Sequence, residues 1–391
     1  MIDSFNEWRG YDILQRRKKI ERAVNLQEVR CADDFPIIIN SPCYFGYGDK
    51  NRSREYWTNP SFMVRFQEEG FERHLSMIND DTVPYFMPWF GTGVLASAFG
   101  CNYREASGTG DDPALTSHCI DTIKDIARLK MPDPYRDGWM PRVLDTIDYA
   151  RAHSDLPVGL SDMNSPLSTV ASMCGYEKLF IWMYQEPDAV HELFDIVTDA
   201  FINWTKIQKE HIGEPLDMSN GLQGIWSPKG VGVWVSDDDI VSLSPDLYEE
   251  FVVPQYSKIF EIFGGGSVHF CGDGSHQTEN LLKIKNIRVV NNSTLFKLEE
   301  FGKMVKKLSG KAAIQIQDTA YVNIRDYIIR LLNKIDDLKG VMFATFVLDN
   351  IAMAEGGNYI EIDRNAVETS RQIVSITREC VGRKLAGEEL N

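Results

Sequence analysis

Short apolar runs alternate with helical stretches along this chain, and that alternation limits the possible folds more than any other feature. Residues 267–271, 287–292, 312–318 and 340–346 read as strands, and helical sequence fills 275–284, 297–308, 323–337 and 365–385. Upstream, strands are expected at 35–40, 83–90 and 157–164, and a further one, with a hairpin embellishment, within 214–236. Helical spacing follows each of them, at 60–79, at 114–130 and 139–153, at 187–212 and at 245–263. Apolar strands that alternate with helices form a parallel sheet covered on both faces. Eight such units in 391 residues predict a (β/α)8 TIM barrel. A doubly wound sheet is disfavoured, because no Gly-x-Gly-x-x-Gly follows any strand. Residues 3–25 read as a helix outside the repeat. The expected organisation is an N-terminal helical extension over 1–34 and a barrel over 35–391.

Charge narrows the function. Lys and Arg number 41 against 57 Asp and Glu, a formal charge of −16. Such a chain is repelled by nucleic-acid phosphates and by anionic lipid. No apolar run reaches the length of a membrane span, and the polar start of the chain does not read as a signal peptide. The seven cysteines are dispersed without a framework spacing, which suggests reduced cytoplasmic thiols. The expected partner is a small molecule, with no nucleic acid and no membrane. A homodimer is one assembly open to the chain.

In a barrel of this kind the site gathers at the C-terminal ends of the strands. Those ends carry Asn40 and Cys43, Trp89, Asp162 and Asn164, Trp226, His269 and Cys271, Asn291 and Asn292, Gln317 and Asp318, and Thr345 with Asp349. His269 and Cys271 are two apart on one strand, so both face the same way, about 7 Å apart along the chain. An imidazole beside a thiol is a good pair of zinc ligands, though a site needs a third. Asp162 is a candidate catalytic proton donor if burial raises its pKa. Capping the helix that begins near Pro166 is its plainer role. Trp89, Asn164, Trp226, Asn291 and Gln317 are the expected substrate-binding residues. The plainer role of Trp226 is packing, and that of Asp237-Asp238-Asp239 is a solvated run favouring the next helix N-terminus. No Lys or Arg stands at the strand ends, and Arg52, Arg54 and Arg104 in the early loops are the candidate cations. Such a mouth suits a moderately polar, bulky or ring-bearing ligand better than a phosphate.

Several words in the chain resemble the uroporphyrinogen decarboxylase superfamily over roughly residues 80–385. They are Ser244-Pro245-Asp246-Leu247-Tyr248-Glu249-Glu250-Phe251 with Pro254, then His269-Phe270-Cys271-Gly272. Ser165-Pro166-Leu167, Glu186-Pro187-Asp188-Ala189-Val190-His191 and Asp363-Arg364-Asn365-Ala366-Val367 are also similar. The resemblance implies a (β/α)8 barrel. In the methyltransferase branch it further implies that His-x-Cys and a distant Cys on the last strand bind zinc. The zinc holds an acceptor thiol that takes a methyl group from cobalamin on a partner corrinoid protein. His269 and Cys271 match two of these ligands, while Val347 stands near the third position. Asp349, Cys43 and Asp162 are the candidates to replace it. The expected function is therefore a corrinoid-linked methyltransferase. One alternative is a metal-independent decarboxylase or other lyase on a smaller acid, with Asp162 or Asp349 as proton donor. Another is a non-catalytic barrel that binds a corrinoid or tetrapyrrole. Uroporphyrinogen itself is disfavoured. The first strand leads into Cys43-Tyr44-Phe45-Gly46-Tyr47 and the second into Trp89-Phe90-Gly91-Thr92, so neither decarboxylase motif is present.

Overall fold

The computed structural model describes residues 5–40, 53–106, 111–222, 225–294, 297–354 and 357–391. Its centre is a six-stranded, all-parallel sheet. The strands run in the order Ile37–Ile39, Val341–Thr345, Ala313–Ile316, Ile287–Ser293, Gly266–Cys271 and Val233–Ser236. They are rich in Val, Ile, Ala and Phe and almost wholly buried, as strands covered on both faces must be. The fold is mixed α/β around this parallel sheet.

Eight strands are expected from the sequence, and two of them take a weaker form. Segments 83–90 and 157–164 join the sheet edges through single parallel bridges, Phe86 to Val158 and Asn164 to Ser236. Around these, Phe86 N–H donates to Pro157 O at 2.8 Å and Ser236 N–H to Met163 O at 2.9 Å. On the other edge Asp81 N–H donates to Ile37 O at 2.7 Å. Pro84, Pro88 and Pro157 lack the N–H a continuous ladder needs. The expected helix over 114–130 is also replaced. Ala114–Leu115 pairs with Tyr103–Arg104, and only Ile123–Ile126 is helical, opened by a Thr122–Asp125 capping box. The intervening Cys119 and Ile120 N–H groups both donate to Met173 O, which holds the chain extended.

At the N-terminus the helix is shorter than expected. Glu7–Trp8 pairs with Tyr11–Asp12 across a turn in which Arg9 and Gly10 have φ of 48° and 85°. Asp12 then caps the helix Ile13–Val24 by accepting from Gln15 N–H. That helix lies across the starts of the strands. Arg16 reaches Asp80 and the Thr82 carbonyl, Asn25 accepts from Arg288, and Leu26 and Ala23 sit against Gly340. Asp80 and Asp81 in turn accept the Ile39 and Ile37 N–H groups. One end of the sheet is thereby covered, and the opposite end, where His269 and Cys271 stand, is left to function. Among the described residues no helix is long and apolar enough to cross a membrane.

Candidate metal centre

The strand Gly266–Cys271 has a parallel neighbour on each side, so its side chains are fixed in register. One row runs across five segments: Asn164, Ser236, His269, Asn291 and Gln315 stand opposite one another in turn. His269 Nδ1 meets Asn291 Oδ1 at 2.7 Å, and Asn291 Nδ2 donates to Gln315 Oε1 at 2.9 Å. The Asn291 amide nitrogen is spent on Gln315, so its oxygen can only accept. In this arrangement His269 carries its proton on Nδ1, which leaves the Nε2 lone pair free. Metal-binding histidines are commonly oriented this way. Burial holds the ring toward its neutral form, against the pull of Asp238 and Asn291.

Nε2 faces two further donors. Cys271 Sγ lies 3.7 Å away and Asp238 Oδ1 3.8 Å away, and all three ligand atoms fall within 4.8 Å of one another. Zinc bound tetrahedrally through bonds of about 2.0–2.3 Å separates its ligand atoms by roughly 3.3–3.8 Å. The observed spacings approach that range. Burial, followed by the Asp238 carboxylate, pushes the Cys271 thiol well up from its ordinary value. A cation in the group would favour the thiolate instead.

Asp238 is the candidate ligand that sequence reasoning missed, and its position has a clear local cause. Asp237 is fully buried rather than solvated. Its N–H donates to His269 O at 2.7 Å, and its carboxylate accepts from Tyr248 Oη at 2.8 Å and Ser165 Oγ at 3.2 Å. Ser244 caps the helix Pro245–Phe251 that carries Tyr248, and Ser165 caps Pro166–Cys174. Both words therefore serve to fasten Asp237. Burial pushes its carboxyl up to about 7 despite the nearby hydroxyls of Tyr256, Tyr248 and Ser165. With Asp237 anchored, the next residue turns outward, and Asp238 Oδ1 accepts Cys271 N–H at 2.7 Å. The reading of a solvated run that favours the next helix N-terminus holds for Asp238, which is exposed, and for Asp239, since both lie in the first turn of Asp238–Ser242; it fails for buried Asp237.

The other candidates fall in different places. Asp349 accepts from Ala366 N–H at the start of the last helix and is not among the three clustered donors. Cys43 and Arg52 lie outside the described residues. Arg54 and Arg104 are exposed and pair with Glu105 and Asp111. Asp162 is buried but is not one of the three clustered donors. Met163 meets Gln208 of the helix Pro187–Ile212, so by alternation Asp162 and Asn164 face away from that helix, Asp162 on the side of Asp238 and Asp112. One Asp162 oxygen has no partner. Burial, then the charges of Asp238 and Asp112, raise its pKa well above the usual carboxylate range. Trp89 is half-buried and its indole N–H donates to Asp112 at 3.1 Å. Gln317 follows Gln315 on the same face, one step nearer the strand ends, and neither of its amide atoms has a partner. Asn291, an expected substrate-binding residue, braces His269, and Asn292 donates to the Phe270 and Gly272 carbonyls. Trp226 does not join the group. It is buried under the Arg17 guanidinium, 4.6 Å from its ring centroid, at the end covered by the N-terminal helix. The fourth strand is Val233–Ser236, so its end is Ser236-Asp237-Asp238 and not Trp226. Placing that strand correctly was the signal that would have found Asp238.

Comparison with known proteins gives the chain a family. The family description Uroporphyrinogen decarboxylase (URO-D) matches residues 50–315. A methylated-thiol–coenzyme M methyltransferase of Methanosarcina mazei is 25% identical over 194 residues, 48% of this chain and 47% of that protein. A uroporphyrinogen decarboxylase of Carboxydothermus hydrogenoformans is 25% identical over 179 residues, 43% of this chain and 46% of that protein. The chain thus spans about half the length of the curated relatives it matches. A solved methyltransferase from Methanosarcina mazei superposes with a TM-score of 0.64 at 15% identity, covering 93% of this chain and 98% of that one, which speaks to the fold. By the family match, which takes in more than half of its residues, the chain belongs to the uroporphyrinogen decarboxylase family.

Proposed function

We propose that this protein is a corrinoid-linked methyltransferase, with its reacting centre at the mouth of a closed (β/α)8 barrel. The six-stranded sheet and the two bridged segments supply the eight staves. The observation that carries the reading is the Asp238, His269 and Cys271 group. Its donor set of one imidazole nitrogen, one thiol sulfur and one carboxylate oxygen fits zinc, and three protein ligands leave a fourth position for a substrate atom. A zinc ion held there would supply the positive charge that keeps a coordinated thiol deprotonated. The chain's own residues do the rest. Asn291 and Gln315 fix which His269 nitrogen is free. Asp237, gripped by Tyr248 and Ser165, sets the reach of Asp238. Asp162 holds a proton on a buried carboxyl facing the mouth and can give it to a departing group. The relative named for coenzyme M methylation supports methyl transfer, and the family resemblance supports a cobalamin carried by a partner protein.

The test is spectral. Purified protein is mixed with reduced cobalamin and a panel of methylated thiols, amines and aryl ethers, and methylcobalamin is followed by absorbance in both directions. Turnover that collapses in Cys271→Ser and His269→Ala is expected. Turnover indifferent to both substitutions would overturn the proposal. The buried Asp162 carboxyl also favours a second reading, a metal-independent decarboxylase. Release of carbon dioxide from a screened acid, undiminished in Cys271→Ser, would select it.

A further inference from the structure

Three cysteines that are far apart in sequence, Cys101, Cys119 and Cys174, converge on one helix end. Cys174 is the last residue of the helix Pro166–Cys174, the Cys119 N–H donates to Met173 O at 2.9 Å, and Cys101 Sγ lies 3.9 Å from Ser172 O. Cys101 and Cys119 also bracket the hairpin in which Tyr103–Arg104 pairs with Ala114–Leu115. The pairing continues toward the hairpin's base, where Thr116 N–H donates to Asn102 O at 2.8 Å and Asn102 N–H to Ser117 Oγ at 3.0 Å. This register brings the chain that enters the hairpin beside the chain that leaves it, and the Cys101 thiol shares a hydrogen bond with that of Cys119. Cys174 is engaged elsewhere, since its thiol donates to Val170 O at 3.1 Å within its own helix. Among the described residues the Asp238 group is the one set of donors close enough to share an ion, so the convergence reads as a thiol pair and not as a second metal site.

The two paired thiols differ in kind. Cys101 is 4% exposed and Cys119 is half-buried, so an oxidant in solution meets Cys119 first. The hydrogen bond from Cys101 lowers the Cys119 pKa against the opposing pull of burial, while the same bond, followed by burial, raises that of Cys101. The thiolate is the nucleophile, which makes Cys119 the attacking sulfur and Cys101 the resolving one. We infer that Cys101 and Cys119 are a modification site, a pair that closes to a reversible disulfide when a peroxide reaches it. The Cys119 sulfur attacks one peroxide oxygen, the O–O bond breaks, and the other oxygen leaves as water with the Cys119 proton, which gives a sulfenic acid. The Cys101 sulfur then attacks the Cys119 sulfur, the S–O bond breaks, and the hydroxyl leaves as a second water with the Cys101 proton. The two thiols are oxidised and the peroxide is reduced. Sulfurs already in contact reach a bond of about 2.05 Å by turning side chains, not by moving the backbone. The bond staples the base of a hairpin that holds the end of the second strand segment, where Tyr103 Oη donates to Phe90 O at 2.7 Å and accepts from Gly93 N–H at 3.1 Å. None of this depends on the methyltransferase reading.

Peptide mapping of the full-length protein tests the inference. Reduced, desalted protein is exposed to hydrogen peroxide, the remaining thiols are blocked with iodoacetamide, and unreduced tryptic peptides are read by mass spectrometry. A pair of peptides joined through Cys101 and Cys119, lighter by two hydrogens and released by dithiothreitol, is expected. Cys101→Ser keeps a hydroxyl beside Cys119 but removes the resolving sulfur, so dimedone labelling of the Cys119 sulfenic acid should rise severalfold over the parent. Cys119→Ser should leave Cys101 reduced. Exposed Cys31 reports that the oxidant acted. Circular dichroism checks that each variant is folded, and the parental map decides by itself if a variant is not. Oxidised Cys31 beside an unlinked Cys101 and Cys119 in the parent, or a parental Cys119 joined to Cys174 or to another chain instead, would overturn the inference.

Discussion

Replacing Asn291 by alanine removes the oxygen that His269 Nδ1–H reaches at 2.7 Å and leaves Gln315 Oε1 without the donor it takes at 2.9 Å. All three side chains are buried, so water does not readily replace the lost partner. A buried donor left unsatisfied costs about 1–3 kcal/mol. The imidazole is also freed to turn or to exchange its proton between nitrogens, which weakens it as a ligand. Loss of the group that orients a metal-binding histidine typically costs 10–100-fold in affinity, or about 1.4–2.7 kcal/mol. The first cost falls on folding stability and the second on metal affinity. The assay is zinc affinity by competition with a chromophoric chelator, for the parent, Asn291→Ala and Asn291→Asp. Aspartate keeps an acceptor in place and charges it, so it should restore parental affinity or exceed it. Parental affinity in Asn291→Ala, or equal weakening in both variants, would refute the tautomer argument.

Tyr248→Phe removes the hydroxyl that donates to buried Asp237 at 2.8 Å. It should cost about 1–2 kcal/mol of stability in urea unfolding and weaken zinc less than Asn291→Ala does. Trp226→Ala should cost about 3–5 kcal/mol through the cavity it leaves, while the folded variant keeps parental zinc affinity, because Trp226 packs under Arg17 at the far end. Stability should also fall in acid through Asp80. Burial raises the pKa of that carboxyl, but His74, Arg16 and the Thr82 hydroxyl outweigh it and hold it below its ordinary value. A depressed folded pKa gives stability that is full above the unfolded value and lost as pH drops through the folded one. Unfolding measured across pH should therefore show a decline below about pH 4 that is flatter in Asp80→Asn.

The parallel sheet was legible because its strands are runs of Ile, Val, Ala and Phe bounded by turns, and the same pattern placed His269 and Cys271 on one face. Less legible were contributions that depend on which strand lies beside which. Gln315 matters only because it stands opposite Asn291, and no local pattern says so. Asp238 was hidden by composition, since three consecutive aspartates read as solvated. The hydroxyls of Tyr248 and Ser165, 11 and 72 residues away, help to draw Asp237 inside and expose its neighbour. Trp226 misled because an aromatic residue near a strand end looks the same whether it lies at the mouth or under the opposite end. The proline-interrupted segments at 83–90 and 157–164 kept the apolar composition of strands without their ladders.

The central claim is that Asp238 completes a metal site with His269 and Cys271. Metal analysis and zinc X-ray absorption on protein purified under reducing conditions, without chelator, test it directly. The account predicts one zinc per chain with a single sulfur among nitrogen and oxygen ligands, and loss of that zinc in Asp238→Ala. A zinc-free parent, or zinc held undiminished with the same first-sphere spectrum in Asp238→Ala, would contradict it.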